Sequence, residues 1–272
     1  MKVLVCMKQI LDPDLPPRDF QIDGEKMEAR QGSASLVTNI FCENALETAL
    51  QFREQNGGEI TVLCYGGEQA EDTLRKALAM TADHGVLVSR EGATNPDPGA
   101  VAKVLAAAIN KLDGFDLILV GRESGDWGVG QTGGILAEEL GLASLSWVDE
   151  IAVEGDDLRV RRQTDVGFEV ALAQTPVVLT ITNSEANLPR IPKTRDVMMS
   201  YRKELTLWSL ADLGLDNEEI RSATAVYEVV DLFVPTKEAH CEFVEGDGIE
   251  ERVTDFAQRI SDVVASVGLS RI

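Results

Sequence analysis

The residues whose spacing most clearly suggests chemistry form a glycine-rich stretch, Gly128-Val129-Gly130-Gln131-Thr132-Gly133. It has the GxGxxG spacing, follows a predicted strand and opens a predicted helix, as a dinucleotide-binding loop would. However, it follows the fourth predicted strand instead of the first, and residues 122–127 separate it from the strand end. Glycine-rich backbone at a helix N-terminus still offers N–H donors and positive potential to phosphate. We therefore expect anion binding here, with Gln131 and Thr132 as neutral donors, over a purely structural loop.

Two other loops and the end of the first strand complete a candidate crevice. Thr38-Asn39-Ile40-Phe41-Cys42-Glu43 precedes a long predicted helix, and taken alone it suggests simple capping, with Phe41 packed on the core. Tyr65-Gly66-Gly67 directly follows the second predicted strand, and paired glycines allow a ligand to approach the backbone. The residues from Cys6 to Lys8 would end at the same edge of a parallel sheet. An adenine nucleotide suits this setting, with apolar walls for the base and N–H groups for the phosphate.

Hydrolytic and metal chemistry find little support in the sequence. The serine of Gly121-Arg122-Glu123-Ser124-Gly125 is displaced by one position from the GxSxG pattern, and His84 and His240 lie in contexts that supply no triad base. There is no Walker motif. A zinc set is not expected, because no CxxC pair is formed by the four cysteines, Cys6, Cys42, Cys64 and Cys241. The sequence predicts nucleotide binding without a catalytic set.

The elements that must position these loops follow an alternating pattern. Short β-branched runs alternate with helical periodicity, which is typical of a parallel sheet flanked by helices. Residues 150–162 read as strand, turn, strand, so an antiparallel hairpin should extend the sheet. The predicted fold class is α/β, a Rossmann-like parallel sheet that binds an adenine nucleotide, with the hairpin extension and an extended C-terminal arm. The predicted strands are 2–7, 59–64, 85–88, 116–121 and 175–182, and the predicted helices are 44–52, 70–80, 98–112, 133–140 and 249–267. Residues 197–205 form an amphipathic segment in an otherwise irregular region.

Composition limits the domain organisation. The chain has 272 residues, is 44% hydrophobic and carries a net charge of −21. That is enough apolar sequence for one large domain with an appendage. Residues 201–272 hold 7 Lys+Arg and 15 Asp+Glu, a net of −8, and are too short and acidic for a second large core. We predict a nucleotide-binding domain at 1–195 and, at 196–272, an arm that packs on another surface.

Charge and hydropathy also restrict partners and location. A chain this acidic would oppose general phosphate contacts, so DNA and RNA are not expected as main partners. The apolar opening is interrupted by Lys8 before it reaches the length of a signal-peptide core, and no uncharged apolar stretch approaches the about 20 residues of a membrane helix. We expect a soluble, cytoplasmic protein with no membrane insertion. The acidity either serves solubility or forms a docking surface, and the sequence leaves both open.

Several segments together resemble one family, the small (beta) subunits of electron transfer flavoproteins. Their order and spacing along most of the chain are specific, although no single segment is decisive. The segments are Val3-Leu4-Val5-Cys6-Met7-Lys8-Gln9, Asn39-Ile40-Phe41-Cys42-Glu43 followed by Ala45-Leu46-Glu47, Thr73-Leu74-Arg75-Lys76-Ala77-Leu78-Ala79-Met80 continued by Ala82-Asp83, Gln131-Thr132-Gly133, and Leu188-Pro189-Arg190-Ile191-Pro192.

The resemblance implies a heterodimer in which a larger alpha subunit carries the redox-active FAD while this chain holds AMP in a structural role. Electrons would pass from a dehydrogenase to an acceptor such as a quinone reductase, so the chain would be a carrier and not an enzyme in the strict sense. Phe41 would approach the partner's flavin, and the arm would wrap the larger subunit. By residue matching, the AMP contacts would come from Cys6, Asn39, Ile40, Phe41, Cys42, Tyr65, Asp126, Gly130, Gln131, Thr132 and Gly133.

The chain departs from the family pattern at three places. Ile40 replaces the proline of the family's Asn-Pro-Phe, which removes backbone rigidity before the helix. Asp126-Trp127-Gly128-Val129-Gly130 replaces the Asp-Asp-Asp-Cys-Asn of AMP-type members. Lys193-Thr194-Arg195 replaces a stretch that normally carries an apolar docking residue, so the dehydrogenase partner should be an unusual one.

The glycine-rich loop also separates two classes of cofactor. Electron-bifurcating members, which bind NADH and hold a second FAD in place of AMP, carry Asp-Gly-Asp-Thr-Ala-Gln-Val there. This chain has Val129 where they have Thr and Thr132 where they have Val, so we favour AMP. Two alternatives stay open: a bifurcating, NADH-linked subunit with its own FAD, and a stand-alone adenine-nucleotide-binding protein.

Overall fold

The computed structural model describes residues 1–25, 27–90, 97–216, 218, 220, 229–234 and 241–266. They divide into two compact units, Met1–Val234 and Pro235–Ile272. The strands are β1 (Lys2–Met7), β2 (Gln9–Leu11), β3 (Gln21–Asp23), β4 (Glu28–Arg30), β5 (Leu36–Thr38), β6 (Glu59–Gly66), β7 (His84–Ser89), β8 (Leu117–Gly121), β9 (Ala143–Glu154), β10 (Asp157–Thr164), β11 (Gly167–Ala173), β12 (Val177–Ile181) and β13 (Leu205–Trp208). The helices are α1 (Ile40–Asn56), α2 (Glu71–Ala79), α3 (Pro98–Lys111), α4 (Thr132–Leu140), α5 (Thr194–Ser200) and α6 (Ile249–Ser266).

The first unit is built on a nine-stranded sheet with the order β11-β10-β9-β12-β8-β1-β6-β7-β13. The strands from β9 to β13 in this order pair in parallel, whereas β10 and β11 extend the sheet as antiparallel strands. Two short antiparallel pairs, β2 with β5 and β3 with β4, lie apart from the main sheet. The predicted α/β class, with its hairpin extension, is confirmed.

Both faces of the sheet are buried, because helices cover them. Alternate residues of β1 point to opposite sides: Val3 and Val5 belong to the core under α1 and α2, and Leu4 belongs to the core under α3 and α4. Every residue of β12 is buried, and so are the first four of β8. Apolar β-branched runs without polar alternation are what a doubly covered parallel sheet requires.

One glycine decides how closely the first helix approaches the sheet. A Cβ built on Gly121, at the end of β8, would lie 2.9 Å from the carbonyl carbon of Phe41 and 3.0 Å from the amide nitrogen of Cys42. Real Cβ atoms do not come that close to backbone. Glycine at this position therefore lets the N-terminus of α1 pack against the strand end, which brings residues 39–42 to the candidate crevice.

Predicted and observed elements agree in the parallel core and differ at its margins. The amphipathic segment at 197–205 is divided in the structure between α5, which ends at Ser200, and β13, which begins at Leu205. β13 adds a parallel edge strand beside β7, so Leu205–Trp208, assigned to the arm from the sequence, belong to the main sheet. The strand β11 and the two small sheets were not predicted.

The described part of the second unit contains α6. Its apolar side chains recur every three or four residues along one face and are all exposed, namely Ile249, Val253, Phe256, Ile260 and Val263. No helix in the described part of the chain combines the length and apolar character needed to cross a bilayer.

Candidate functional site

The candidate site lies at the carboxyl edge of the parallel strands. β1, β6, β8 and β12 run in the same direction, so Met7, Gly66, Gly121 and Ile181 end at one edge of the sheet. Ligands of open α/β sheets bind beyond this edge. Cys6 and Tyr65 lie in the last residues of β1 and β6, Asn39 to Cys42 lie between β5 and the first turn of α1, and Asp126 and Gly130 to Gly133 lie between β8 and the start of α4.

Asn39 joins three of the segments at this edge. Its side chain is buried, and its amide nitrogen donates to the carbonyl of Glu123 (2.8 Å) and to the thiol sulfur of Cys42 (3.3 Å). Its amide oxygen accepts from the backbone N–H of Gly125 (3.1 Å). Its own N–H donates to the carbonyl of Lys8 (2.9 Å). The side chain makes no capping bond to α1, so it holds the loop after β8 instead of the helix end.

A second clamp holds the same loop from the end of β1. The ammonium of Lys8 donates to both carboxylate oxygens of Asp126 at 2.8 Å, and the N–H of Trp127 donates to Asp126 Oδ1 at 2.9 Å. Partial burial alone would raise the pKa of Asp126, but the charge and hydrogen bond of Lys8, together with the hydrogen bonds of Ser124 and Trp127, outweigh it and leave that pKa below its ordinary value. The Asp126 carboxylate is thus engaged within the protein and fixes the start of the glycine-rich stretch.

The glycine-rich stretch has the backbone expected of a close-approach loop. Gly128 and Gly130 adopt positive φ angles of 63° and 67°, which other residues rarely adopt. Gln131 is exposed directly before α4, and Thr132 is the first residue of that helix. Gly133 is buried where any side chain would overlap Thr180 of β12. The N-terminus of α4 is therefore fixed against the strand ends and exposes its first N–H groups at the edge.

Tyr65 carries an unsatisfied polar atom at the same edge. The residue stands one position before the end of β6 and is only 9% exposed. Its buried hydroxyl has no hydrogen-bond partner among the described residues. Burial raises the pKa of Tyr65, so the group is a neutral hydroxyl that can donate and accept. Buried polar groups are rarely left unpaired, and a bound polar ligand would supply the missing partner.

The predicted cysteine contacts differ from the rest. Cys6 and Cys42 are buried, with side chains in the two cores, and Cys64 is also buried. Desolvation by burial raises the pKa of Cys6 and Cys42 and brings that of Cys64 to about 12. These thiols are protonated and inert. Cys6 and Cys42 were the two cysteines predicted to contact a ligand. Because their thiols lie in the core, only the backbone of these two residues can make such a contact.

Ile40 and Phe41 begin α1 and lie in different surroundings. Ile40 is 48% exposed. Phe41 is half-buried, with the guanidinium carbon of Arg122 4.5 Å from its ring centroid. The same guanidinium carbon is 4.3 Å from the centroid of the Trp147 ring. Neither Arg122 nor Trp147 was predicted as a site residue, because no local pattern indicates that a residue of β9 reaches the loop after β8.

The site therefore combines fixed backbone, an orphan hydroxyl and a helix N-terminus, and lacks a catalytic set. Within the described residues, no group of three or more His, Cys, Asp or Glu side chains is arranged to hold a metal ion. Of the predicted side chains, Asn39 and Asp126 serve to hold the loop, whereas Tyr65 and the backbone from Gly130 to Gly133 stay available to a ligand. Such an arrangement offers N–H donors to an anionic group and an unpaired hydroxyl to a polar one.

Comparison with known protein families shows to which family the chain belongs. Residues 32–213 match the model of the electron transfer flavoprotein domain. The chain belongs to the electron transfer flavoprotein family. It is 34% identical to the electron transfer flavoprotein subunit beta of Thermoanaerobacterium thermosaccharolyticum over 96% of this chain and 98% of the relative. It is 34% identical to the subunit beta of Clostridium acetobutylicum, over 81% of this chain and 83% of the relative. It is also 30% identical to the caffeyl-CoA reductase-Etf complex subunit CarD of Acetobacterium woodii, over 96% of this chain and 98% of the relative. The predicted resemblance is confirmed.

Another segment of the family resemblance has a clear structural role. The guanidinium of Arg190 binds both carboxylate oxygens of Glu47 on α1 at 2.8 and 2.9 Å, and it also pairs with Glu54. The Glu47 bond, followed by the Glu54 bond, raises the pKa of Arg190 above its ordinary range. This pairing fixes residues 188–192 on α1 and leaves Leu188 and Ile191 exposed.

Proposed function

We propose that this chain is the small subunit of a heterodimeric electron transfer flavoprotein. Membership of the family supports this function, as does the fact that its relatives over 96% of the chain include a subunit beta. The partner is an alpha subunit that carries the redox-active FAD. The heterodimer accepts electrons from a dehydrogenase and delivers them to an acceptor such as a quinone reductase. The chain itself acts as a carrier subunit, without a substrate transformation of its own.

The nucleotide held by this chain is AMP, in a structural role. The observation that carries this proposal is the orphan hydroxyl of Tyr65, buried at the same edge as the glycine-rich loop. A ribose or base of AMP satisfies that hydroxyl, and the phosphate accepts from the N–H groups at the start of α4. Asn39 and Asp126 hold the loop in the shape that this binding needs. The bound nucleotide would tie the ends of the central strands together.

The FAD of the alpha subunit supplies the one-electron and two-electron chemistry of the complex. Phe41 is the residue of this chain proposed to approach it, since it lies at the exposed start of α1 and is held by Arg122. The geometry needed for that approach comes from Gly121, which admits the N-terminus of α1 to the end of β8.

A second candidate function is an electron-bifurcating, NADH-linked subunit with its own FAD in place of AMP. The observation that favours it is the 30% identity with CarD of Acetobacterium woodii, which is named as a subunit of a caffeyl-CoA reductase-Etf complex. Val129 and Thr132 depart from the residues of that class, as the sequence indicated, and so AMP is preferred.

The arm, residues 196–272, is proposed to pack on the alpha subunit through its C-terminal part. In the second unit, α6 exposes an apolar face formed by Ile249, Val253, Phe256, Ile260 and Val263, and an apolar stripe of this length normally packs on another surface. The arm's acidic residues would meet basic residues of the partner, so raising the salt concentration should weaken the heterodimer. If assembly were insensitive to salt, the acidic residues would serve the solubility of the chain and not its docking.

The test is co-expression with an electron transfer flavoprotein alpha subunit from the same organism, with an affinity tag on this chain alone. A yellow complex should elute as a heterodimer with a flavin absorption band. A colourless, stable monomer obtained in the presence of the alpha subunit would contradict the proposal.

A further inference from the structure

Arg90 carries a charge that the described residues leave unpaired. It follows the last residue of β7 and is partly buried, and its backbone N–H donates to the carbonyl of Gly66 at 2.8 Å. Its guanidinium makes no hydrogen bond and no ion pair with any described residue, although the chain has 46 Asp+Glu against 25 Lys+Arg. Withdrawing a charge from water without pairing it costs free energy. An anion from outside the chain would offset that cost.

The hydroxyl of Tyr65, on the neighbouring strand, is also without a hydrogen-bond partner among the described residues. Tyr65 pairs with Val88, two positions before Arg90, and the side chains of Tyr65 and Val88 both belong to the core under α3 and α4. Residues two positions apart along an extended chain share a face of the sheet, which places Arg90 on the side of Tyr65. Burial raises the pKa of Tyr65, and the nearby charge of Arg90 partly opposes that rise. Two groups that can donate therefore share one face of the sheet at the carboxyl ends of β6 and β7.

The chemistry of these two groups selects an anionic acceptor. A guanidinium has N–H donors and no acceptor, and its planar fork matches the oxygens of phosphate, while the tyrosine hydroxyl adds an O–H donor. Gly66 and Gly67 follow Tyr65 directly, and a Cβ built on Gly67 would have no heavy atom within 4 Å, so the backbone there has open space beside it. In doubly wound α/β sheets, an arginine near the ribose accommodates a phosphate attached to that ribose.

Arg90 and the N-terminus of α4 lie at different ends of the crevice. Gly133, at the start of α4, packs against Thr180 of β12 and Val120 of β8. β1 stands between β8 and β6, and β7 follows β6. At about 4.8 Å per strand, β8 lies roughly 10 Å from β6 and roughly 14 Å from β7. The N–H groups of α4 and the guanidinium of Arg90 therefore serve different groups of a ligand, or different ligands.

We propose that Arg90 and Tyr65 form an anion subsite, which takes a phosphate group other than the one held at the start of α4. The inference deepens the proposed function and rests on it, since the proposed AMP places its ribose or base at Tyr65. Two sources offer the same chemistry: a second phosphate on the ribose of an adenine nucleotide, and free inorganic phosphate bound beside AMP. Because Arg90 is partly exposed, either source can reach its guanidinium from solvent.

The test is calorimetry with the heterodimer from which the bound nucleotide has been removed. If the ribose carries the phosphate, adenosine 3′,5′-bisphosphate or its 2′,5′ isomer should bind at least about tenfold more tightly than AMP, the effect of one hydrogen bond to a charged group. If the phosphate is free, inorganic phosphate should bind to the heterodimer loaded with AMP, and the bisphosphates should have no advantage. Arg90→Gln should abolish whichever effect is found, and Tyr65→Phe should reduce it.

Arg202→Gln is the matched control, because it removes the same charge from an exposed position three residues before β13. β13 runs parallel to β7, so Arg202 precedes the amino end of its strand, whereas Arg90 follows the carboxyl end of β7. The control should bind every probe as the unmodified protein does. Arg90→Gln should also leave the urea midpoint of the ligand-free chain unchanged, since its guanidinium has no partner to lose.

Three results would overturn the inference. The first is the absence of both effects from the unmodified protein, or their persistence in Arg90→Gln. The second is a loss of AMP affinity in Arg90→Gln as large as the loss of bisphosphate affinity, which would place the guanidinium on AMP itself. The third is a lower urea midpoint of ligand-free Arg90→Gln, which would show that the guanidinium has a partner within the chain.

Failure of the proposed function gives a different result, namely that the unmodified chain forms no flavin-bearing heterodimer. Binding of inorganic phosphate and of the bisphosphates can then still be measured on the full chain alone, with Arg90→Gln and Arg202→Gln beside it. Binding that depends on Arg90 would retain the subsite without the electron-transfer role, and binding that does not would overturn both.

Discussion

Replacing Asn39 by Asp or Leu tests whether this side chain holds the loop after β8. The amide makes three hydrogen bonds, to the Glu123 carbonyl, the Gly125 N–H and the Cys42 thiol, and it is 1% exposed. Asn39→Leu is nearly isosteric but removes all of them, so the Glu123 carbonyl and the Gly125 N–H lose their partner in two partly buried hydrogen bonds. At about 0.5–1.5 kcal/mol for each of these two bonds, the expected loss of stability is roughly 1–3 kcal/mol.

Asn39→Asp adds a pH-dependent test of the same contact. An ionised carboxylate still accepts from Gly125 but places negative charge against the carbonyl of Glu123, which the amide nitrogen contacts at 2.8 Å. Burial and that carbonyl should raise the folded-state pKa of the introduced carboxyl above its unfolded value. The loss of unfolding free energy in the variant is then complete at pH values above the folded-state pKa. It becomes smaller as the pH falls through that pKa, since the protonated carboxyl can donate to the Glu123 carbonyl.

The assay is urea unfolding of the isolated chain at several pH values, together with nucleotide retention in the heterodimer. Asn110→Asp, at an exposed position near the end of α3, is the control and should change stability by less than about 1 kcal/mol. If Asn39→Leu unfolds at the same urea concentration as the parent and retains its nucleotide, Asn39 does not hold the loop. A deficit in Asn39→Asp that is independent of pH would show that the contact with Glu123 is not the cause.

Three other predictions follow from the same site. Lys8→Met removes the ion-pair partner of Asp126, and because the pair is partly exposed, the free energy of unfolding should fall by about 0.2–1 kcal/mol near neutral pH. This difference should vanish in acid, where Asp126 is protonated in both proteins. Urea unfolding at several pH values measures it. Tyr65→Phe should leave the stability of the isolated chain unchanged, since the hydroxyl has no hydrogen-bond partner there. The same variant should bind the nucleotide about fivefold more weakly, the equivalent of roughly 1 kcal/mol. Equal affinity of the two proteins in calorimetry would show that Tyr65 does not contact the nucleotide. In the native chain, a disulfide reagent should titrate Cys241 rapidly, and fast reaction of further thiols would contradict the inert state assigned to Cys6, Cys42 and Cys64.

The parallel core could be predicted because its physical requirements are visible in one dimension. A strand buried on both faces must be apolar throughout, and Val3, Leu4 and Val5 satisfy that without reference to distant residues. The edge strands escaped prediction for the opposite reason. β13 is only four residues long, and β11 exposes Phe168, Val170 and Leu172, so neither carries the buried pattern that marks a core strand.

The location of the site could be predicted from the sequence, but the roles of its side chains could not. Parallel strand ends bring the right loops together, and a glycine-rich sequence marks the loop that approaches the ligand. The roles of side chains depend on partners far along the chain. Asn39 was expected to cap a helix, but its partners are Glu123 and Gly125, more than 80 positions away. Trp147 enters the site through a register shift, and no local pattern marks such a shift.

The nucleotide content of the purified heterodimer tests the proposed AMP site most directly. Acid release followed by chromatography should give one equivalent of FAD and one of AMP per heterodimer, with AMP lost preferentially from Tyr65→Phe. Two equivalents of FAD without AMP would contradict the account and establish the bifurcating alternative, and AMP bound to this chain without any flavoprotein partner would support a stand-alone nucleotide-binding protein.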